Sequence, residues 1–383
     1  MKKPLLCLYL AVSLLLSGCR IMNGTYVSVT PHREHRQTTQ AEILSADNYL
    51  DLMTALTDMI HSGTASATIN LAHYPATAVD SGMSVAMRYA MENDPIGAFA
   101  VDNITYEVGY SGGQPAVAIQ ISYLRNRLEL RQISRLSNME QAGIAVREAL
   151  EKHEPGVVML VEEYTPTDFP QLVLDISQAS PHLVMESPQV TPGIYGNGKQ
   201  RVIELIFTYQ NSRDALRQMQ NQVHPIFESA ALYVSGDSSQ WQKYAQLYGF
   251  LMERFDYTIE TSITPAYSLL CHGVGDSRTF AMVYAAMCQA ADLNCQIITG
   301  TRAGVPWTWN LVEDSGYFYH VDLLRCSEAG QFMEKTDLQM QGYVWDYSAY
   351  PASTGPAPLE DPPSQEQATP SQSDNDASDS GNS

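Results

Sequence analysis

An α+β fold is predicted for this chain by two periodicities that alternate along it and by one succession of elements that occurs twice. Apolar residues recur every three to four positions in some segments, which is typical of helices, and at every second position in others, which is typical of strands. The pattern predicts helix, strand, helix and hairpin over residues 46–133 and again over residues 134–219. A third α+β part is predicted over residues 220–347.

The start of the chain predicts export. Two lysines precede an apolar run from Leu5 to Leu16, and Leu-Ser-Gly-Cys ends at Cys19. A basic stretch, an apolar segment too short to cross a bilayer and small residues before a cleavage site are typical of a secretory signal. The ending resembles a bacterial lipoprotein box, which implies a signal over residues 1–18, a lipid on Cys19 and anchoring to the cell membrane on its extracytoplasmic side. An ordinary signal peptide with a chance cysteine is the alternative.

Two polar segments flank the predicted folded parts. Residues 19–45 carry no periodicity and are expected to be a tether. Residues 348–383 are rich in Pro, Ser and Asp, cannot bury a core and predict a disordered acidic tail. The formal net charge is -20. Such a surface repels phosphate backbones, so nucleic acid is excluded as an expected partner.

The predicted duplication depends on two matching stretches, ISYLRNRLELRQI at residues 121–133 and FTYQNSRDALRQM at residues 207–219. They share Tyr, Arg, Leu, Arg and Gln at one constant offset, and a glycine-containing turn precedes the last strand of each copy. Coincidence between two amphipathic α/β stretches is the alternative. Neither copy contains paired carboxylates, a phosphate loop or a histidine cluster. This region therefore indicates fold rather than chemistry.

Cysteines outside the signal and the lipoprotein box lie in the last third of the chain: Cys271, Cys288, Cys295 and Cys326. Export permits disulfides, but four cysteines allow three pairings. Their spacing matches no zinc pattern, so neither a metal nor a cofactor is expected.

The segment GVGDSRTFAMVYAAMCQAADLNCQIITG at residues 273–300 predicts a loop, a helix and a strand. Asp276 is a good N-cap, which puts Ser277 in the first helical turn. Backbone N–H groups and the helix dipole favour negative charge at this position, where a nucleophilic thiolate would be stabilised.

Residues 220–347 resemble the transglutaminase-like fold, a relative of the papain-type cysteine proteases. The resemblance is carried by AYSLL before the loop, by the helix and strand of the segment above, and by the WNLV and YHVD motifs of the following strands. It implies a catalytic Cys at Ser277, a His at Trp307 and an Asp at Asp322. Only the Asp is retained.

This double replacement predicts an inactive domain that acts as a binding or scaffolding module for a peptide or cell-wall ligand. A serine hydroxyl needs an aligned base, and the indole of Trp307 only donates. The alternative is a hydrolase or acyltransferase in which Ser277 uses a displaced His, with His272 as the candidate. A third possibility is that the duplicated region carries the function.

Trp307 allows two interpretations. With Trp309 and Tyr317 it could form an aromatic platform that stacks on sugars or extended peptide. Alternatively, its ring fills the space that the lost catalytic pair would occupy.

Overall fold

The computed structural model describes residues 43–355. The predicted signal, Cys19 and most of the predicted tether and tail lie outside the described residues. Within them, one compact unit comprises residues 43–91 and 100–130, and the other comprises residues 92–99 and 131–355. No helix in residues 43–355 is long and apolar enough to cross a membrane. The chain has the predicted α+β class.

The first unit contains a four-stranded sheet of order β1-β2-β4-β3. Its strands are β1 (Ile43–Ser45), β2 (Ser66–Asn70), β3 (Val101–Ser111) and β4 (Gln114–Tyr123). β2 pairs parallel with β1 and antiparallel with β4, and β4 pairs antiparallel with β3. The helices of this unit are α1 (Tyr49–Ser62), α2 (Val79–Arg88) and α4 (Arg127–Arg131), whereas α3 (Pro95–Ala100) is assigned to the second unit except for its last residue.

Local sequence explains the bounds of α1. Asn48 caps its first turn by accepting hydrogen bonds from the amides of Leu50 and Asp51, and Gly63 ends it with a φ of 68°. The buried face of α1 carries Leu52, Leu56 and Ile60 at helical spacing, each 0% exposed.

The second unit begins with a sheet of order β5-β6-β8-β7. Its strands are β5 (Ser134–Asn138), β6 (Gly156–Glu163), β7 (Gln189–Tyr195) and β8 (Arg201–Thr208), and its helices are α5 (Met139–Glu151) and α6 (Phe169–Ala179). β5 pairs parallel with β6, whereas β6 and β7 each pair antiparallel with β8. One apolar core, which includes Val146, Met159, Phe169 and Ile203, joins the two helices to the sheet.

The two sheets therefore have the same strand order and the same pairing directions. Descent from one duplicated unit stays a prediction. Sequence patterns missed the first strand of each sheet, because β1 has three residues and β5 carries a single large apolar side chain, Leu136. β1 also shows that the predicted tether was too long by its last three residues, Ile43–Ser45.

The remainder of the second unit surrounds a central helix. Its helices are α7 (Arg213–Tyr233), α8 (Gln240–Met252), α9 (Pro265–His272), α10 (Ser277–Ala290) and α11 (Leu323–Ala329). Its strands are β9 (Thr258–Ile259), β10 (Val274–Gly275), β11 (Cys295–Arg302), β12 (Val305–Asp314), β13 (Tyr317–Val321) and β14 (Tyr343–Trp345). The last four form an antiparallel sheet of order β13-β12-β11-β14. α10 packs against this sheet and against α6 to α9 and α11.

Two predicted boundaries differ from the structure. The boundary between residues 219 and 220 falls inside α7, a helix of 21 residues. The tail predicted from residue 348 is packed as far as residue 355. Ser353 is 1% exposed, and its hydroxyl donates to the Phe318 carbonyl at 2.5 Å. Composition shows that this segment forms no core of its own, but not that it packs against another core.

A buried histidine gives the second unit a pH-sensitive stability. His153 is 2% exposed, and neither of its ring nitrogens has a hydrogen-bond partner among the described residues. Burial and then the positive charges of Arg217 and Arg213 lower its pKa from 6.5 to about 4. The unfolded chain therefore binds the proton more readily than the folded chain.

We expect the contribution of His153 to stability to be full above pH 6.5 and to be lost as the pH falls to about 4, by about 3 kcal/mol in total. His153→Phe should flatten the pH dependence of the free energy of unfolding in this window, measured by urea denaturation. His73→Phe, at an exposed position, is the matched control. An unchanged slope in His153→Phe would contradict the assignment.

Candidate functional site

Two local features position Ser277 at the start of α10. The Asp276 carboxylate accepts hydrogen bonds from the amide and hydroxyl of Thr279 at 2.8 and 2.7 Å, which caps the helix as predicted. The preceding β10 pairs with β9 and fixes the approach of the loop. A Cβ on Gly275 would lie 3.2 Å from side-chain atoms of Leu269 and Thr279, so the close approach favours glycine.

The hydroxyl of Ser277 has a backbone partner rather than a base. Its oxygen accepts a hydrogen bond from the Thr308 amide at 3.3 Å. Within residues 43–355 no imidazole nitrogen hydrogen-bonds to it. The space beside it, which Asn310 and Asp322 also line, is too small to admit a water molecule. Ser277 therefore has no aligned imidazole among the described residues, and the space on this side of it admits no attacking water.

Trp307 and Asp322 are joined directly. The indole Nε1 of Trp307 donates to the Asp322 carboxylate at 2.8 Å, and the hydroxyl of Tyr343 donates to the same oxygen at 2.6 Å. The other carboxylate oxygen accepts from the Arg325 amide at 3.3 Å and caps α11. Asp322 is 8% exposed. Its carboxylate thus accepts hydrogen bonds from the Trp307 and Tyr343 side chains and caps the start of α11.

The neighbouring residues hold the Trp307 ring in place. The Arg302 guanidinium lies 5.2 Å from the centre of this ring and 5.9 Å from that of Tyr343, within cation–π range. Gly300 pairs with Trp307 across β11 and β12, and a Cβ there would lie 2.3 Å from the Val344 carbonyl oxygen. Glycine thereby allows β14 to pair at this point and to deliver Tyr343.

Burial raises the pKa of Tyr343, and the hydrogen bond to the Asp322 carboxylate raises it further. The phenol therefore stays protonated and donates at neutral pH. An indole N–H and a neutral phenol both donate to this carboxylate, so neither aromatic side chain accepts a proton from Ser277.

His320 belongs to the opposite face of the sheet. The Trp309 indole donates to its Nδ1 at 2.9 Å, and its Nε2 lies 2.7 Å from Asp337 Oδ1. Since Nδ1 accepts, the proton is on Nε2. Burial lowers the pKa of His320, opposed by Asp337. His320 pairs with Leu311, whereas the adjacent Asn310 bonds the Ala281 carbonyl of α10, so His320 faces away from Ser277.

The three aromatic residues predicted as a platform do not form one. Trp309 is 1% exposed and packs in a core with Tyr343 and Trp345, so a ligand contact at Trp309 does not fit its burial. Tyr317 is 40% exposed, but it pairs with Asp314. Asp314 is seven residues along β12 from Trp307, which separates Tyr317 from Trp307 by roughly 23 Å at about 3.3 Å per residue. Trp307 is half-buried, and its N–H is engaged.

The other candidate groups also lie apart from Ser277. His272 is exposed at the end of α9, where its ring contacts Tyr267 at 5.1 Å between centroids, and it does not line the space beside Ser277. The four described cysteines, Cys271, Cys288, Cys295 and Cys326, are free thiols. Burial raises the pKa of Cys271, which disfavours a thiolate there. No group of three His, Cys, Asp or Glu side chains within the described chain could hold a metal ion.

Asp322→Ala should lower the free energy of unfolding by about 3 kcal/mol, because two donors and a helix start lose their acceptor. Asp322→Asn, which keeps an acceptor and a good cap, should lower it less. The exposed Asp346→Ala, which removes a local hydrogen bond to Ser348, is the control and should have a much smaller effect. Chemical denaturation of the four proteins measures these differences, and equal effects of Asp322→Ala and Asp346→Ala would contradict the role of Asp322.

A protein-family model matches the C-terminal part of the chain. Residues 228–345 match the family described as the transglutaminase-like superfamily. No curated protein matches the chain.

Three solved structures are similar to the chain at low identity. A TGase is 11% identical, with 58% of this chain and 65% of that chain covered and a TM-score of 0.24. A proposed cysteine protease from Cytophaga hutchinsonii is 10% identical, with 38% and 65% covered and a TM-score of 0.24. A proposed protease from Parabacteroides distasonis is 7% identical, with 67% and 39% covered and a TM-score of 0.22. The chain spans 65% of the length of the first two. Residues 228–345 of this α+β chain form a transglutaminase-like domain.

Proposed function

We propose that this protein is a membrane-anchored extracytoplasmic lipoprotein whose transglutaminase-like domain binds a ligand, a peptide or cell-wall fragment, without acyl-transfer chemistry. The hydrogen bond between Trp307 and Asp322 is the observation that carries this proposal. A donor-only indole occupies the position that the family resemblance assigns to the general base.

The chemistry of Ser277 supports the same conclusion. A hydroxyl at a helix start gains some stabilisation of negative charge, but it ionises only with an aligned base. Its one hydrogen bond among the described residues comes from the Thr308 amide, which is a donor. In subtilisin, loss of the nucleophile or the histidine costs about 10⁶-fold in kcat. Here both positions differ from the family pattern.

The hydrogen bonds of Asp322 give a structural reason for this residue to be present in a domain that binds a ligand without catalysis. Asp322 connects β12, β14 and α11 through three hydrogen bonds. A side chain of this kind stabilises the domain whether or not it orients a base. The anchoring part of the proposal is carried by the sequence alone, through the Leu-Ser-Gly-Cys ending at Cys19.

Intact-mass spectrometry after incubation with a glutamine peptide tests the absence of acyl transfer. The unmodified protein and Ser277→Ala should both gain no acyl mass. The double variant Ser277→Cys with Trp307→His should form a thioester: the thiolate attacks the carboxamide carbon, and the carboxamide nitrogen leaves as ammonia after it is protonated by the imidazolium. Ser277→Cys alone, a nucleophile without a base, is the matched control and should react far more slowly.

An acyl adduct on Ser277 of the unmodified protein would refute the proposal. The alternative hydrolase with His272 as base would then be favoured if His272→Ala abolished the adduct. Labelling by a fluorophosphonate that Ser277→Ala removes would refute the proposal in the same way.

A further inference from the structure

A cavity of about 190 Å³ lies beside the first turns of α10, on the side of this helix away from Ser277. Its wall on this side is formed by Asp276, the N-cap of α10, and by Arg278 and Met282 of the helix. The closed space on the other side of the helix is lined by Ser277 and Ala281. At about 100° per residue, these two sets occupy different faces of the helix. The far wall comes from α6 and the segment that follows it. The cavity is therefore separate from the position of the lost nucleophile.

A buried carboxylate lines this cavity without a cation. Glu186 is 3% exposed and accepts hydrogen bonds from the Gln210 amide at 2.5 Å and from the amide and side chain of Asn211 at 3.1 and 2.8 Å. All three donors are neutral, and within residues 43–355 Glu186 makes no ion pair. Buried carboxylates are usually paired with a positive charge. A buried carboxylate held only by neutral donors favours a cationic group nearby.

A cation with no partner lies on the α10 side of the same cavity. Arg278 is exposed and, in the described part of the chain, makes neither a hydrogen bond nor an ion pair. The side-chain amides of Gln178 and Gln210, which also line the cavity, make no hydrogen bond to described residues. The cavity therefore presents two carboxylates, a guanidinium and two amides to a ligand. The second carboxylate, of Asp276, is already occupied by hydrogen bonds from Thr261 and Thr279.

The volume of the cavity and the apolar residues in its wall further restrict which ligands can bind. Leu174, Val184 and Met282 supply apolar surface. The volume of about 190 Å³ is somewhat larger than that of an engineered cavity of about 150 Å³ that admits benzene. An amino acid or a dipeptide of small residues therefore fits this space.

We propose that this cavity binds a free amino acid or dipeptide as its zwitterion, with the ammonium group at Glu186 and the carboxylate at Arg278. The assignment rests on the proposed binding role of the protein and gives it a site and a ligand class. Arg pairs with carboxylates through two parallel hydrogen bonds, and the two glutamine amides match the peptide group of a dipeptide.

Isothermal titration of the full-length chain with alanylalanine tests the proposal. Binding is expected for the dipeptide, and at least a ten-fold loss is expected for both its N-acetyl and its C-terminal amide derivatives, because each lacks one charge. Equal affinity for the three probes, or no heat of binding at millimolar dipeptide, would overturn the assignment.

Two variants locate the site. Arg278→Gln should weaken dipeptide binding about ten-fold, whereas Arg135→Gln, the same change at another exposed position, should leave it unchanged. Glu186→Gln should weaken binding of the dipeptide and of its C-terminal amide alike, with folding checked by circular dichroism. Undiminished affinity in Arg278→Gln would place the ligand elsewhere and overturn the proposal.

The test is separate from that of the proposed function. Failure to bind dipeptide leaves the absence of acyl transfer untouched, because that is read from the mass of the protein. Conversely, an adduct on Ser277 would refute the non-catalytic role even if the dipeptide bound at Glu186 and Arg278.

Discussion

The hydrogen bond from the Trp307 indole to the Asp322 carboxylate is the interaction on which the rest of the transglutaminase-like domain depends. Asp322 follows β13 and caps α11, Trp307 lies near the start of β12, and Tyr343 brings β14 to the same carboxylate oxygen. Three strands and one helix therefore meet at one buried charge. A buried carboxylate is costly unless donors surround it, and here each donor belongs to a different element.

The pair also shows how a tryptophan is accommodated at the position where the family resemblance implies a histidine. Both side chains present a ring N–H, and a carboxylate accepts from either. What the indole lacks is a second nitrogen with a lone pair. Trp307 therefore makes a directional contact with Asp322 through its ring N–H, but its indole accepts no proton.

The sequence predicted those features that depend on residues close together in the chain, and it missed those that depend on residues far apart in the chain. The cap at Asp276 and the start of α10 at Ser277 were predictable, since capping involves residues three positions apart. The family resemblance placed Trp307 and Asp322 at the expected His and Asp positions, but the hydrogen bond between them was not predicted. Tyr343 was missed as a partner of Asp322, because it comes from a short strand 21 residues later in the chain. No local pattern indicates such a contact.

Burial was similarly hard to predict where it depends on distant partners. Trp309 looked like a ligand contact, but it lies in a core completed by Met340, Tyr343 and Trp345. Residues 348–355 looked disordered by composition, yet Ser353 is held by backbone groups of Phe318 and Lys335. In both cases the deciding residues are far away in the sequence, and their register cannot be read from periodicity.

The continuity of α7 has a consequence for how this protein can change during evolution. Leu216 and Phe227 of α7 pack in one hydrophobic core with α10. Arg213 and Gln220 of the same helix donate to the Lys152 and Glu151 carbonyls, so one helix is shared by the second β-sheet region and the transglutaminase-like domain. The helix even continues through Pro225. Recombination that exchanged either part alone would sever this helix, and we expect the two to be inherited as one block.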